Sequence, residues 1–176
     1  STAVTSVSPI TPDTIAVFGR IDVARSVQPG EKFFLLFSGK QENDKYLHIW
    51  KKTMPAPVES GLIKITADEV DDVEPLIGRD GRQVFFSSNR WGNRFSLWRS
   101  NTTGIGGVTK IVGTDVGHDR RVDISPSGKK LLFTAITFKK RDAETVEEAM
   151  MWVVNQDGTD LTQLRLGNNP RWSPDG

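Results

Sequence analysis

The sequence predicts an all-β fold assembled from tandem four-stranded units, and three observations carry that expectation. A glycine turn recurs after a short apolar run, at Asp80-Gly81 in "LIGRDGRQVFFSS", Ser127-Gly128 in "DISPSGKKLLFTA" and Asp175-Gly176 in "RWSPDG", and these glycines lie 47 and 48 residues apart. A tryptophan-centred run, "LHIWKK", "FSLWRS" or "AMMWVVN", places Trp50, Trp98 and Trp152 before a polar loop and a last apolar run, "LIKIT", "VTKIV" or "LTQLRL". Two-residue alternation bounded by Gly, Pro, Asn and Asp, rather than helical periodicity, runs along nearly the whole chain.

The elements follow in order. Residues 1–13, "STAVTSVSPITPD", are rich in Ser, Thr and Pro and read as a flexible linker behind a processed start. Residues 14–71 form a divergent first unit that opens on "TIAVFGRID"; its turn, Pro29-Gly30 in "SVQPGEKFFLLFSG", lies 51 residues before Gly81. The second unit, 72–118, carries strands at 74–78, 83–88, 95–99 and 108–112. In the third unit, 119–168, "RDAETVEEAMM" reads as a long hairpin loop, not a helix. Residues 169–176 read as the inner strand of a fourth unit, because Pro174 presets φ and Gly176 accepts φ > 0 in a tight turn.

A four-stranded unit of about 48 residues that cannot bury both of its faces alone is a β-propeller blade. The expected architecture is therefore a partial propeller of about three four-stranded blades plus the first strand of a fourth. Open blade faces need cover, so either the natural chain continues towards about six to eight blades, or copies pair through those faces as a homo-oligomer.

Composition limits the partners. A chain of 176 residues that is 36% hydrophobic can bury an ordinary domain core. Its 23 Lys and Arg against 22 Asp and Glu give a net charge of +1, which supplies no bulk field for nucleic acid or an anionic membrane; any charged partner must meet a local patch. The absence of Cys excludes disulfides and thiolate chemistry within the chain. No apolar run approaches the roughly 20 residues that span a bilayer.

"NPRWSPDG", "DISPSGKKLLFTA", "DGRQVFFSSNRWGN" and "NQDGTDLTQL" resemble the repeat of TolB-type propellers, the WD40-like or PD40 repeat. The resemblance covers 72–176 well and 22–66 loosely. It departs from the pattern at Ile77, Gly78 and Arg79, which stand where the last copy has Trp172, Ser173 and Pro174. It implies a periplasmic or secreted, non-catalytic scaffold that binds a protein or peptide. The alternative it leaves is the propeller part of an enzyme: the gate of a prolyl oligopeptidase-like peptidase, or a lyase-like propeller that binds acidic sugar.

Chemistry-bearing motifs are sparse, and no catalytic residue, metal or cofactor is expected. There is no G-x-S-x-G nucleophile elbow. His48 and His118 occupy different repeat positions without metal-ligand spacing. "NQDGTD" lacks the calcium-loop spacing, and "GIGG" precedes no helix.

Binding candidates come from topology instead. The hairpin between second and third strands opens on the same face as the connection to the next blade. That face collects residues 39–45, 67–72, 88–94, 114–121 and 138–148. On it Arg90, Trp91, Asn93, Arg94, His118, Asp119 and Arg120 are the candidate binding residues. Trp91, between two arginines, is either a hot spot or a ring lying on its own blade. The inner strands line the channel, so Glu74, Arg121, Asp123 and Arg171 are the candidates to face it.

Overall fold

The computed structural model describes residues 11–12, 14–25, 33–57, 60–141 and 144–176. Most of the expected linker and the Pro29-Gly30 turn lie outside them. Twelve strands run in sequence: β1 (Ile15–Arg25), β2 (Phe33–Gln41), β3 (His48–Met54), β4 (Leu62–Lys64), β5 (Asp72–Ile77), β6 (Gln83–Ser88), β7 (Ser96–Asn101), β8 (Thr109–Val112), β9 (His118–Ile124), β10 (Lys130–Arg141), β11 (Glu144–Asn155) and β12 (Thr162–Leu166). They form three antiparallel four-stranded sheets, β1–β4, β5–β8 and β9–β12, each paired in chain order. The architecture is a partial β-propeller, and no helix occurs among the described residues.

Alternation along the strands decides which residues join the sheets. Val84, Phe86, Ile77 and Trp98 of the second sheet pack against Phe34, Leu36, Ile49 and Ile65. Their neighbours Phe85, Leu76 and Leu97 point the other way, into Val122, Ile124, Leu131, Phe133 and Val154 of the third. The middle sheet is thus apolar on both faces, as a blade between two blades must be. Each such aliphatic or aromatic side chain contributes on the order of 1.5–3 kcal/mol by leaving water. The recurrent tryptophans hold one register position: Trp50 opposes Phe37, Trp98 opposes Phe86 and Trp152 opposes Phe133.

Backbone contacts between sheets repeat with the same period. The N–H of Asp72 donates to the carbonyl of Leu47 (2.8 Å), that of Asp119 to Phe95 (2.9 Å) and that of Gly167 to Ala149 (3.0 Å). Two residues further on, each inner segment takes a left-handed residue: Glu74 (φ 55°), Arg121 (φ 60°) and Asn169 (φ 50°), with Gly19 (φ 71°) in β1. In β1, β5 and β9 this residue sits in a register shift, a bulge that bends the inner strand. Asp22 then accepts from the N–H of Ile77, and Asp123 from that of Trp172, both at 2.8 Å. Residues 167–176 belong to no strand, yet they repeat two of these contacts, at Gly167 and Trp172, and the left-handed residue, at Asn169. Between the second and third sheets Arg79 replaces the aspartate, donating to the carbonyls of Ile124 (2.8 Å) and Ser125 (3.1 Å).

The structure differs from the sequence reading at two loops. The segment expected as a long hairpin loop is a continuation of the ladder, paired out to Arg141 opposite Glu144. Alternating Thr, Val and aromatic residues favour an extended ribbon, and Lys139 with Glu148 closes it. The expected connection 114–121 ends earlier, because β9 begins at His118. Gly117 permits that: a Cβ there would lie 2.4 Å from the carbonyl oxygen of Ile136.

Trp98 is 6% exposed and Trp91 72%. Trp98→Ala should therefore lower unfolding free energy by about 3–5 kcal/mol, and Trp91→Ala by less than about 1 kcal/mol; urea denaturation of the two variants checks the ordering. Replacing residues 139–146 by a short turn should leave the far-ultraviolet dichroism and the midpoint essentially unchanged, because Phe138 at the base of the arm is already 61% exposed. A large loss of midpoint would mean that the arm packs on the sheet.

Candidate binding site in the central cavity

The bulged inner strands converge on a cavity of about 440 Å³. Its floor is apolar, with Phe18, Leu47, Val73 and Val122, and its walls carry Arg20, Glu74, Arg120, Arg121, Asn169 and Arg171. Asp72, at the start of β5, pairs with Ser88 at the end of β6, so these strand ends share a side with the hairpin and connection loops. The cavity thus lies towards the loop-rich end of the inner strands.

Glu74 organises the wall. Its Oε1 accepts from Nη2 of Arg120 and its Oε2 from the backbone N–H of Arg121, both at 2.8 Å. Its own N–H donates to Oγ of Ser38 (3.0 Å), which ties the first three sheets together at one residue. Arg120 stacks on Phe95 at 4.7 Å from the ring centre, and Arg121 reaches Glu147 (2.9 Å) and Asn168. Left-handed φ suits Gly19 and Asn169 but is unusual for long side chains such as Glu74 and Arg121, costing about 1–2 kcal/mol per residue.

Of the residues expected to face the channel, Glu74, Arg121 and Arg171 line the cavity together. Asp123 lies behind Arg171, 3.9 Å from its guanidinium. Arg20 was missed by sequence reasoning; its signal was its place in "FGRID", beside the glycine at the bulge.

The residues expected on the loop face divide. Trp91, Asn93 and Arg94 are exposed, with Arg94 donating to the carbonyl of Asp115 (2.5 Å). The Trp91 ring meets Trp98 edge-on at 5.8 Å and carries Lys110 Nζ over its face at 4.5 Å, so it rests on its own blade while staying largely open to solvent. Arg90 turns inward, where it holds Asp72 through both carboxylate oxygens (2.9 and 3.0 Å), binds Asp68 and stacks on Trp98. Asp119 is 0% exposed and accepts from the N–H (2.8 Å) and hydroxyl (2.5 Å) of Thr114. Its side chain is enclosed rather than presented on the loop face. His118 lies between the rings of Phe95 and Phe138, and its Nδ1 accepts from the N–H of Phe95 (3.4 Å).

Burial sets the electrostatics. It pushes Asp119 up to about 7 against the hydrogen bonds from Thr114, and it raises Asp72 against Ser88 and Arg90. Burial, with Arg120 and Arg94 adding repulsion, lowers His118, which matches its accepting role at Nδ1. Burial also lowers His48, whose Nδ1 is enclosed without a hydrogen-bond partner among the described residues. Among those residues no group of three or more His, Asp or Glu is placed to hold a metal ion, and no helix is long and apolar enough to cross a membrane.

Comparison with solved structures supports a β-propeller of the TolB type. A protein assigned as TolB from Agrobacterium tumefaciens superposes with a TM-score of 0.62 at 20% identity, over 95% of this chain and 69% of that one. An acylaminoacyl peptidase from Pyrococcus horikoshii (TM-score 0.48, 12% identity, 76% of this chain, 24% of that one) and TolB from Acinetobacter baumannii (0.48, 14%, 81% and 43%) also match. The chain therefore spans about two thirds of the first and less than half of the other two. No protein-family model and no curated sequence matches it.

Two outcomes follow from the site. Burial pushes Asp119 up to about 7 from the ordinary aspartate value of 3.8, so the fold favours its protonated form and its contribution to stability falls as pH rises between these values. Asp119→Asn should flatten that part of the profile, measured by urea denaturation between about pH 4 and pH 8. Arg121→Gly should relieve the left-handed strain while losing the contacts to Glu147 and Asn168, leaving stability within about 1 kcal/mol of the parent; a thermal melt decides it.

Proposed function

We propose that this chain is a non-catalytic scaffold that receives a protein or peptide segment, with the loop-rich side as its landing surface and the central cavity as the place a side chain of the partner enters. The observation that carries this reading is the pair Glu74 and Arg121. Both hold a left-handed conformation that glycine or asparagine fills at the equivalent positions, and both turn their side chains to the cavity wall. Strain kept at consecutive repeats where a less strained residue would serve is a mark of function. Exposed Trp91 supplies a rigid anchor on the same side, of the kind that dominates binding energy. The TolB-type resemblance favours a periplasmic or secreted setting.

A random peptide display screen against the immobilised chain tests the reading. Recovered peptides, titrated by fluorescence anisotropy, should lose on the order of 1–3 kcal/mol of affinity in Trp91→Ala or Arg121→Gly. Peptides that bind both variants as tightly as the parent would place the interaction elsewhere and end this proposal.

A further inference from the structure

The scaffold reading leaves open what chemistry the cavity selects, and the arginines answer it. Its lining holds Arg20, Arg120, Arg121 and Arg171 against a single carboxylate, Glu74. Both oxygens of Glu74 are already taken, by Arg120 and by the N–H of Arg121. Arg121 is further satisfied by Glu147 and Asn168. Arg20 and Arg171 are not. Among the described residues the carboxylate that meets Arg20 is Asp22 at 3.9 Å, and the hydrogen bond of Arg20 is to the carbonyl of Val122 at 3.4 Å. The carboxylate that meets Arg171 among them is Asp123, also at 3.9 Å. Arg120 is held by Glu74 at 2.8 Å, and its Nε is buried.

The two aspartates pair only loosely with these arginines. Oδ2 of Asp22 is held by the N–H of Ile77 and Oδ2 of Asp123 by the N–H of Trp172, each at 2.8 Å, in the contacts that join successive inner segments. That leaves Oδ1 of each facing its arginine at 3.9 Å, beyond hydrogen-bond distance. The cavity therefore keeps guanidinium donors in a partly enclosed, apolar-floored space, where a planar carboxylate matches their geometry and a charged contact is screened less than at an open surface.

We propose that the cavity is a carboxylate-selective peptide subsite, in which Arg20 and Arg171 receive an acidic group while Phe18, Leu47, Val73 and Val122 pack the apolar residue beside it. This inference rests on the scaffold reading. The carboxylate can come from an Asp or Glu side chain or from a peptide C-terminus.

Three fluorescein-labelled hexapeptides separate these sources: a Leu-Asp peptide with an amidated C-terminus, its Leu-Asn counterpart, and the Leu-Asn peptide with a free C-terminus. At least one carboxylate peptide should bind the full 176-residue chain on the order of tenfold more tightly than the neutral one. The carboxylate peptide that shows the preference identifies the source. The preference should shrink in Arg20→Ala and Arg171→Ala, and on raising ionic strength from about 0.05 to about 0.5 M. Both arginines are partly exposed, so the variants should fold, and the amide and salt arms need no variant. Equal affinity for all three peptides, or a preference that both variants retain, overturns the inference and leaves the scaffold reading standing. No binding by any of the three also overturns it, while the display screen decides the scaffold reading separately.

Discussion

Asp72 and Asp119 occupy the same place in consecutive sheets, two residues before the left-handed bulge, and both are withdrawn from solvent. A buried carboxylate is unfavourable unless its oxygens are hydrogen-bonded. At Asp119 the donors come from Thr114, in the connection that leads into the strand; at Asp72 they come from Arg90, on the neighbouring hairpin. The backbone N–H of each aspartate meanwhile reaches back to the preceding sheet, at Leu47 or Phe95. One residue thus fixes a loop of the loop-rich face and the joint between two sheets. The apolar faces can interdigitate because that joint sets their distance and register.

The bulge that follows converts this scaffold into a site. An ordinary β-residue at 74 or 121 would keep the strand alternating between the two sheet faces. The left-handed residue adds one extra position, so the strand bends and the side chains at the bulge reach the central cavity instead of an apolar interface. Polar groups can therefore stand beside a core made of Val122, Ile124 and Leu76 without being buried in it.

How much of this was legible depended on what the repeat could carry. The strands of the second sheet were readable from turn glycines and alternation, and so was the shared position of Trp50, Trp98 and Trp152. The arm at 138–148 was not, because a charged stretch with three glutamates has the composition of a loop; its pairing is visible only once Phe138 and Glu147 stand opposite each other. Asp119 looked like a surface residue beside His118 and Arg120. Its burial had a signal in the repeat, since Asp72 lies 47 residues earlier in the same register, but charge alone pointed outward. The grouping of Glu74, Arg121 and Arg171 followed from inner-strand topology. Arg20 did not, because the bulge in β1 holds an extra residue and shifts it against the other copies.

The loose pairing of Arg20 and Arg171 accompanies the assembly itself. In a sheet stack whose joints were made by backbone groups alone, both oxygens of Asp22 and Asp123 would be open to the arginines, where now Oδ1 alone faces each one at 3.9 Å. Because each aspartate is held by a main-chain N–H of the next inner segment, the electrostatics of the channel and the docking of one sheet on the next share the same carboxylates. Between the second and third sheets the corresponding residue is Leu76, and Arg79 makes the joint from the opposite end of the strand. At that position no aspartate carboxylate accepts from the next inner strand, and there the cavity wall is closed by an internal pair, Glu74 with Arg120. Where the joint is an aspartate, the neighbouring arginine stays underpaired; where it is an arginine, the wall neutralises itself.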